Sequence, residues 1–283
     1  MREKFDVIGI GTSGIDIIST PEGRLECPGG AVANSIVALA RLGLNTGYIG
    51  RGGKNKYGKM IVSAFTKEGV DLSRFRIDDG PTARFLITLT SHKRILKGAQ
   101  SYVPIKQFTE EDRRYSQKSR SLLFRAKPDL LEFYLSLKKQ PPLYIIFPFI
   151  KPKKIPLPLI KKAKPQAIFS NEEEFRAFKR DLGSLTKEGI TVVVTRGRRG
   201  CRIYSKKRAM DYDGYKVKAL DPTGAGDAFA AGFVFGDLNV WGEEEKARFA
   251  NAMGALATTA YGARGKLPTL RGVQEFMEKR ERK

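Results

Sequence analysis

Apolar positions along the chain keep two rhythms that alternate. FDVIGIG (5–11) is a short continuous apolar run, the pattern of a strand covered on both faces. AVANSIVALARLG (31–43) changes to helical spacing: Val32, Ile36, Leu39 and Ala40 share one face, and Gly43 stands where a helix stops. NTGYIGRGG (45–53) reads as a short strand and turn. GKMIVSAFTKEGV (58–70) reads as a second helix, with Met60, Ala64 and Phe65 inward and Gly69 as its stop. ARFLITLTSHKRILKG (83–98) alternates with period two and predicts an antiparallel hairpin turning near Ser91–Arg94, an edge or a flap.

Between about 105 and 165 the pattern weakens. LLEFYLSLKK (130–139) has helical spacing, LYIIFPFI (143–150) that of a buried strand, and the proline-rich stretch 148–158 that of a loop. The rhythm then recovers. QAIFS (166–170) reads as a strand, NEEEFRAFKRDL (171–182) as a helix, and ITVVVTRG (190–197) and GCRIYS (200–205) as strands. DPTGAGDAFAAGFVFG (221–236) reads as a loop entering a helix, and EEEKARFANAMGALATTAYG (243–262) as a long helix. Repeated strand–helix units predict an α/β fold with a mostly parallel sheet covered on both faces.

Composition narrows the class. The chain has 283 residues, enough for one large α/β domain and a sizeable core. No uninterrupted apolar run is long enough to span a bilayer, and the short, glycine-broken N-terminal run reads as a first strand, not a signal peptide. Two distant cysteines, Cys27 and Cys201, make no disulfide framework, so the expected location is cytoplasmic. Cys27 lies beside a glycine pair and is read as a small buried filler, with a place on a pocket wall as the alternative. The formal net charge is +22, a field that attracts anions of every kind. Basic stretches such as 151–166 and 195–200 lack the interleaved aromatics that stack on bases, so nucleic acid is not expected as a partner.

Gly9, Gly11 and Gly14 spell G-x-G-x-x-G after the first strand, yet no helix begins there. Gly14 leads into β-branched IDIIST and then Pro21, and the window where a ribose-binding acid would fall holds Gly30 to Asn34. These glycines read as a strand passing close to a ligand and bending away. Asp16, among apolar neighbours just past the end of strand one, is read equally as a ligand-binding carboxylate or as a turn stabiliser.

The segment that carries chemistry is DPTGAGDAFAAG (221–232). Gly224, Ala225 and Gly226 precede a helix and would present backbone N–H groups and the positive end of its dipole to an anion. Asp227, in the first turn, would be repelled by that anion unless it has a task. The task that fits is taking the proton of a hydroxyl that attacks a phosphoryl group. No Walker A loop is present.

DPTGAGDAFAAGF resembles the C-terminal signature of the ribokinase-like (PfkB) carbohydrate kinases, D-T-x-G-A-G-D-x-F, and PGGAVANSIVALARLG resembles their N-terminal signature, G-G-x-x-x-N followed by a helix ending in R-L-G. EGVDLSRF, SNEEEF, VVVTRGRRG and FANAMGALATTAYGA continue the match in the family's order, leaving only about 105–150 poorly matched. The resemblance implies a single kinase domain over 1–283. Its fold would be a three-layer sandwich with a small β-lid drawn from about 12–27 and 82–103. It implies an ATP-dependent phosphotransferase acting on an alcohol group of a sugar or sugar derivative. A nucleoside or sugar-phosphate kinase of the same fold, or a catalytically silent ligand- or nucleic-acid-binding relative, are the alternatives.

Residue by residue, the resemblance makes Asp227 the catalytic base and the amides of Gly224, Ala225, Gly226 and Asp227 the anion hole. Asp16, Gly30 and Asn34 would hold substrate hydroxyls, and Asn55 would also lie on the substrate side. Asn171 and Glu174 would organise Mg²⁺ and phosphates, largely through water. Thr195, Gly197 and Gly200 would form a nucleotide loop, with Asn251 near the base. A monovalent cation such as K⁺ would lie beside the Asp221 loop, and the lid would offer a homodimer contact. Two departures stand out. In GRGGKNKYG, Asn55 replaces the family's acid, flanked by Lys54 and Lys56 with Arg51 nearby; a basic pocket edge would suit an anionic acceptor, while ordinary surface lysines are the simpler account. The acid-containing strand-end motif is altered, as FPFIKP (147–152). His92, the one histidine, is expected exposed on the hairpin turn.

Overall fold

The computed structural model describes residues 3–20, 22–89, 94–100, 105, 107–147 and 155–281. Two sheets organise them. The larger has nine strands: β1 (Phe5–Ile10), β4 (Thr46–Gly53), β5 (Phe75–Asp78), β8 (Ser119–Arg125), β9 (Leu143–Ile146), β10 (Ala167–Asn171), β11 (Thr191–Thr195), β12 (Cys201–Tyr204) and β13 (Ala209–Tyr212). Their order is β13-β12-β11-β10-β9-β8-β1-β4-β5. All neighbours from β5 to β11 pair parallel, and β12 and β13 close the far edge antiparallel.

Helices cover both faces, as parallel strands require. Period-two alternation divides the strand residues between two cores: Val7, Tyr144, Ile146 and Val193 enter one, while Ile8, Leu143, Ile145, Val192 and Val194 enter the other. The first core contains α1 (Ala31–Arg41), α2 (Lys56–Lys67), α8 (Ala225–Leu238) and α9 (Glu243–Ala257), with α10 (Leu270–Glu281) beside them. The second is closed by α3 (Glu110–Ser116), α4 (Pro128–Leu135), α5 (Leu157–Ala163), α6 (Glu172–Arg176) and α7 (Leu182–Lys187). α8 is apolar all round and buried along Ala228–Gly236, which leaves it one useful polar end, its N-terminus.

The second sheet has four strands, β3 (Gly23–Gly29), β2 (Gly14–Thr20), β6 (Ala83–Leu89) and β7 (Arg94–Gln100), in that order. β6 and β7 are antiparallel, as the alternation in 83–98 requires, and β2 joins β6 in parallel. Chain continuity places this sheet beyond the carboxyl edge of the large one, because β1 ends at Ile10 and β2 starts at Gly14. The opening glycines therefore join strands of two sheets, with no helix among them. A Cβ on Gly14 would meet the Ala83 carbonyl oxygen at 2.7 Å, so the close approach they permit is to backbone.

Three expectations need correction. The stretch 171–182 is not one helix: α6 stops at Arg176, a 3₁₀ turn covers Lys179–Asp181, and α7 follows. Phe175 and Phe178 turn inward there, with ring centres 5.4 Å apart, and Phe178 meets Phe147 at 4.4 Å. α9 ends at Ala257, not at Gly262. Thr258 and Thr259 bond their hydroxyls back to the carbonyls of Ala255 and Leu256, and the Thr258 carbonyl accepts from the amides of Leu220 and Asp221. The strand expected over 143–150 ends at Ile146. The hairpin turn with His92, and most of the FPFIKP motif and the loop after it, lie outside the described residues.

Candidate active site

The carboxyl edge of the parallel sheet is where an open α/β fold gathers ligand-binding groups. β1, β8, β10 and β11 end there at Ile10, Arg125, Asn171 and Thr195, and the N-terminus of α8 faces the same edge.

Asp227 lies in the first turn of α8. The Asn34 side-chain amide donates to Asp227 Oδ2 at 2.9 Å, and Ser35 Oγ donates to the Asp227 carbonyl at 2.8 Å. Both donors come from the first turns of α1, so helix packing fixes the carboxylate. Gly30 caps α1 with φ of 109°, and a Cβ there would meet the Thr12 carbonyl oxygen at 2.6 Å. Asp16 is buried on β2 opposite Cys27 of β3, and a Cβ on Gly29 would collide with its carboxylate. Asp16, Gly30, Asn34 and Asp227 are thus brought together from three places in the chain, β2, the start of α1 and the start of α8.

The loop before α8 is held by Asp221, which is fully buried. Its two carboxylate oxygens accept from the amides of Thr223 and Gly262, each at 2.8 Å. Gly224 has φ of 79° and packs on Ala263: an added Cβ would lie 2.6 Å from the Ala263 Cβ. Gly226 has open space where its Cβ would be. The Ala225 amide donates to the Pro222 carbonyl at 3.2 Å, closing the turn.

Asn171 and Glu174 form a reciprocal cap on α6. Asn171 Oδ1 accepts from the Glu174 amide at 2.8 Å, and Glu174 Oε2 accepts from the Asn171 amide at 2.9 Å. Burial raises the Glu174 carboxyl above the ordinary range, the nearby Asp227 charge adds to this, and Arg125 opposes it. Among the described residues no cluster of three His, Cys, Asp or Glu side chains would hold a metal by itself. The half-buried Glu174 carboxylate is a hard ligand whose charge favours a cation, and Mg²⁺ takes few protein ligands alongside water and phosphate oxygens, so the pair fits it.

Thr195 ends β11, where its hydroxyl donates to the Ser170 carbonyl at 3.3 Å. A 3₁₀ turn, Gly197–Arg199, follows, and Gly197 and Gly200 take φ of 58° and 83°. The buried Asn251 amide donates to the carbonyls of Tyr212 and Asp213 at 3.3 and 3.1 Å, and so shapes the wall of this loop region. These residues lie on the β11–β12 side of the sheet, across from Asp16 and Asn34.

The 51–56 stretch finds its partners locally. Asn55 caps α2, accepting from the amides of Tyr57 and Gly58 at 3.0 and 3.1 Å and from the Thr82 hydroxyl at 3.0 Å. Arg51 is buried against Asp78, Lys54 pairs with Asp79 at 3.1 Å, and Lys56 reaches Glu26 at 3.6 Å. Each cation has its own acid. A groove of about 840 Å³ along α2, lined by Lys54, Lys59 and Lys67, lies outside the Asp16–Asp227 cluster. Burial pushes the Cys27 and Cys201 thiols up to about 12, which keeps both protonated and unreactive.

Two arginines at the site were not foreseen. Arg264 donates through Nε to Asn34 Oδ1 at 3.0 Å, and its guanidinium lies over Phe65, 5.1 Å from the ring centre. Arg125 ends β8 half-buried, its guanidinium within reach of the Asp227 and Glu174 charges. Both look like ordinary charges in sequence. The available signal for Arg125 was a cation directly after an apolar run at the carboxyl end of a strand.

A family model described as "pfkB family carbohydrate kinase" matches residues 16–270. The chain is 29% identical to the fructokinase of Klebsiella pneumoniae over 92% of its own length and 95% of that protein's. It is 28% identical to the aminoimidazole riboside kinase of Salmonella typhimurium over 95% and 93%. The structure of Arabidopsis thaliana ribokinase complexed with ribose and ATP superposes with a TM-score of 0.82 at 21% identity, covering 98% of this chain and 99% of that one.

Proposed function

The chain belongs to the pfkB family of carbohydrate kinases, and from that premise we propose that it transfers the terminal phosphoryl group of ATP to a sugar hydroxyl held between Asp16, Gly30 and Asn34. The observation that carries this reading is the Asn34–Asp227 contact, which joins the acceptor side to a carboxylate at a helix N-terminus. Asp227 accepts the hydroxyl proton as the new O–P bond forms and the bond to the β-phosphate oxygen breaks. The amides of Gly224, Ala225, Gly226 and Asp227 face the charge that develops. Ala225 contributes least, because its amide already serves the turn.

Asn171 and Glu174 would hold Mg²⁺, which neutralises phosphate charge when bound. Thr195, Gly197 and Gly200 line the nucleotide side, with Asn251 supporting the base end. A K⁺ ion would lie beside the Asp221 loop, where both Asp221 oxygens already accept from backbone amides. The four-stranded sheet would close over the acceptor as a lid and exclude water. Leu25 and Ile95, each 42% exposed on its outer strands β3 and β7, support pairing with a second copy, which sedimentation would test. No helix among the described residues is long and apolar enough to cross a membrane, and two free cysteines accord with a cytoplasmic setting.

A fructokinase and a riboside kinase among the relatives favour a furanose-forming acceptor. The deciding experiment is nucleotide turnover with Mg²⁺ against ketoses, pentoses, nucleosides and sugar phosphates, beside Asp227→Asn. An Asp227→Asn variant that keeps full activity on the best acceptor would overturn this reading.

A further inference from the structure

Arg125 is half-buried at the end of β8, with the Nε of its guanidinium enclosed and no ion pair of its own among the described residues. Its Nε has no hydrogen-bond partner, and among the described residues no carboxylate pairs with its guanidinium. A buried guanidinium normally secures at least one acid or carbonyl, because desolvating it unpaired is costly. The buried Arg51 does so: it holds Asp78 and the Pro81 carbonyl. Arg125 has no such protein partner among the described residues, which leaves its guanidinium available to an acceptor that is not part of the protein.

Topology says where that acceptor would lie. Arg125 is the last residue of β8, which runs between β1 and β9 in the middle of the parallel sheet, with Arg125 in register with Ile146. Its side of the sheet edge carries Glu174, beyond β10, and Asp227, on α8. These are the two carboxylates whose charges favour its ionised form against the burial that opposes it. The donor phosphates belong beside Glu174 and the attacked hydroxyl beside Asp227, so the phosphoryl group crosses the space between them.

We propose that Arg125 is a further catalytic residue, whose guanidinium contacts the phosphoryl group during transfer. This rests on the kinase reading above. The group in flight carries negative charge on its three outer oxygens, and a fixed guanidinium fork matches two of them. Arg125 also screens Asp227 from the incoming phosphoryl charge, easing the repulsion between base and anion. The proton still goes to Asp227, and Arg125 stays protonated throughout.

The experiment compares Arg125→Gln and Arg125→Lys with Asp227→Asn on the best acceptor of the panel. The glutamine variant is expected to lose roughly 10²- to 10³-fold in kcat, as loss of one transition-state donor does. KM values for acceptor and ATP should change little, and lysine should recover part of the loss. Calorimetry gives a readout apart from turnover: at a pH high enough for Glu174 to be ionised in every variant, ADP should bind the variants as it binds the parent, while ADP with aluminium fluoride and acceptor should bind at least tenfold more weakly (about 1.4 kcal/mol). A raised acceptor KM with kcat intact would show that Arg125 holds an anionic group of the acceptor instead, and would overturn the proposal. So would unchanged kinetics. The lysine variant keeps the buried charge and decides the matter should the glutamine variant fail to fold. Full activity of Asp227→Asn would sink the kinase reading itself, whereas full activity of the Arg125 variants alone sinks only this inference.

Discussion

The side-chain amide of Asn34 donates to Asp227 Oδ2 at 2.9 Å, and the two residues are 193 apart in the chain. An amide has a donor end and an acceptor end, so its direction matters. Here the direction is fixed from behind, because Arg264 Nε donates to Asn34 Oδ1 at 3.0 Å and can only donate. The nitrogen must therefore face Asp227. A buried cation acts through a neutral amide on the carboxylate proposed as the base.

That relay makes Arg264 a positioning residue with a measurable signature. Burial brings the Arg264 guanidinium down to about 10, so it remains charged at neutral pH. Arg264→Met should free Asn34 to turn over and lower kcat by about tenfold, the effect of roughly 1.4 kcal/mol. It should also raise the apparent pKa on the acid limb of the rate profile, since Asp227 loses a hydrogen-bond donor to its ionised form. Arg264→Lys should restore most of both. A loss of melting temperature with an unmoved acid limb would mean that Arg264 only packs.

Two glycines before Asp227 should separate fold from chemistry. Gly224 has positive φ and no room beside Ala263, so Gly224→Ala should lower both the melting temperature and the activity, with strain on the order of 1–2 kcal/mol. Gly226 is helical with open space beside it, so Gly226→Ala should leave the melting point unchanged or raise it, helix propensity gaining up to about 1 kcal/mol. If the space beside Gly226 receives the phosphoryl group, the same substitution should still lower kcat at least tenfold. Thermal melts beside initial rates for both variants give the comparison, and full activity in Gly226→Ala would show that the phosphoryl group passes elsewhere.

Gly29 offers a test of the acceptor side that spares Asp227. A Cβ at Gly29 would displace the Asp16 carboxylate. Gly29→Ala should therefore raise the acceptor KM by about tenfold or more with a smaller change in the ATP KM, the pattern of lost ground-state binding. Equal effects on both KM values would place Asp16 in a structural role, the turn-stabilising alternative that its sequence context left open.

How legible these residues were in the sequence follows from how locally each is determined. α1 and α8 announce themselves because Gly30 and Gly224 must take positive φ at a helix start, and their apolar faces repeat with helical spacing. The two-sheet division showed in the alternation of 83–98 and in the β-branched run after Gly14. β8 was hidden because Ser119–Arg125 offers only Leu122, Leu123 and Phe124 as an apolar signal. The breaks in 171–182 and after Ala257 come from tertiary contacts, aromatic stacking in one case and the Asp221 loop in the other, which no helical period reports. Arg125 and Arg264 were unreadable for the same reason: the charges and the amide that surround them are distant in sequence and are gathered only by folding.

The last prediction concerns pH, and its sign follows from burial. Glu174 has a raised carboxyl pKa, chiefly because it is buried, with Asp227 and Glu173 adding to the rise and Arg125 opposing it. Its ionised form is therefore disfavoured by the fold. In the nucleotide-free protein Glu174 costs stability as pH rises from its unfolded pKa to its folded one, and bound Mg²⁺–nucleotide should offset that cost. Affinity for Mg²⁺–ADP should accordingly weaken as pH falls through the raised pKa, above the roughly 4.3 of an exposed glutamate. Glu174→Gln should abolish this limb and leave weaker, flatter binding. Arg125→Gln should move the limb upward, because the one nearby charge that favours the carboxylate is gone. Titrating Mg²⁺–ADP by calorimetry from pH 5 to 7.5 in the three proteins measures all of this without turnover. A limb that survives in Glu174→Gln would assign the titration to another group and remove Glu174 from the metal side of the site.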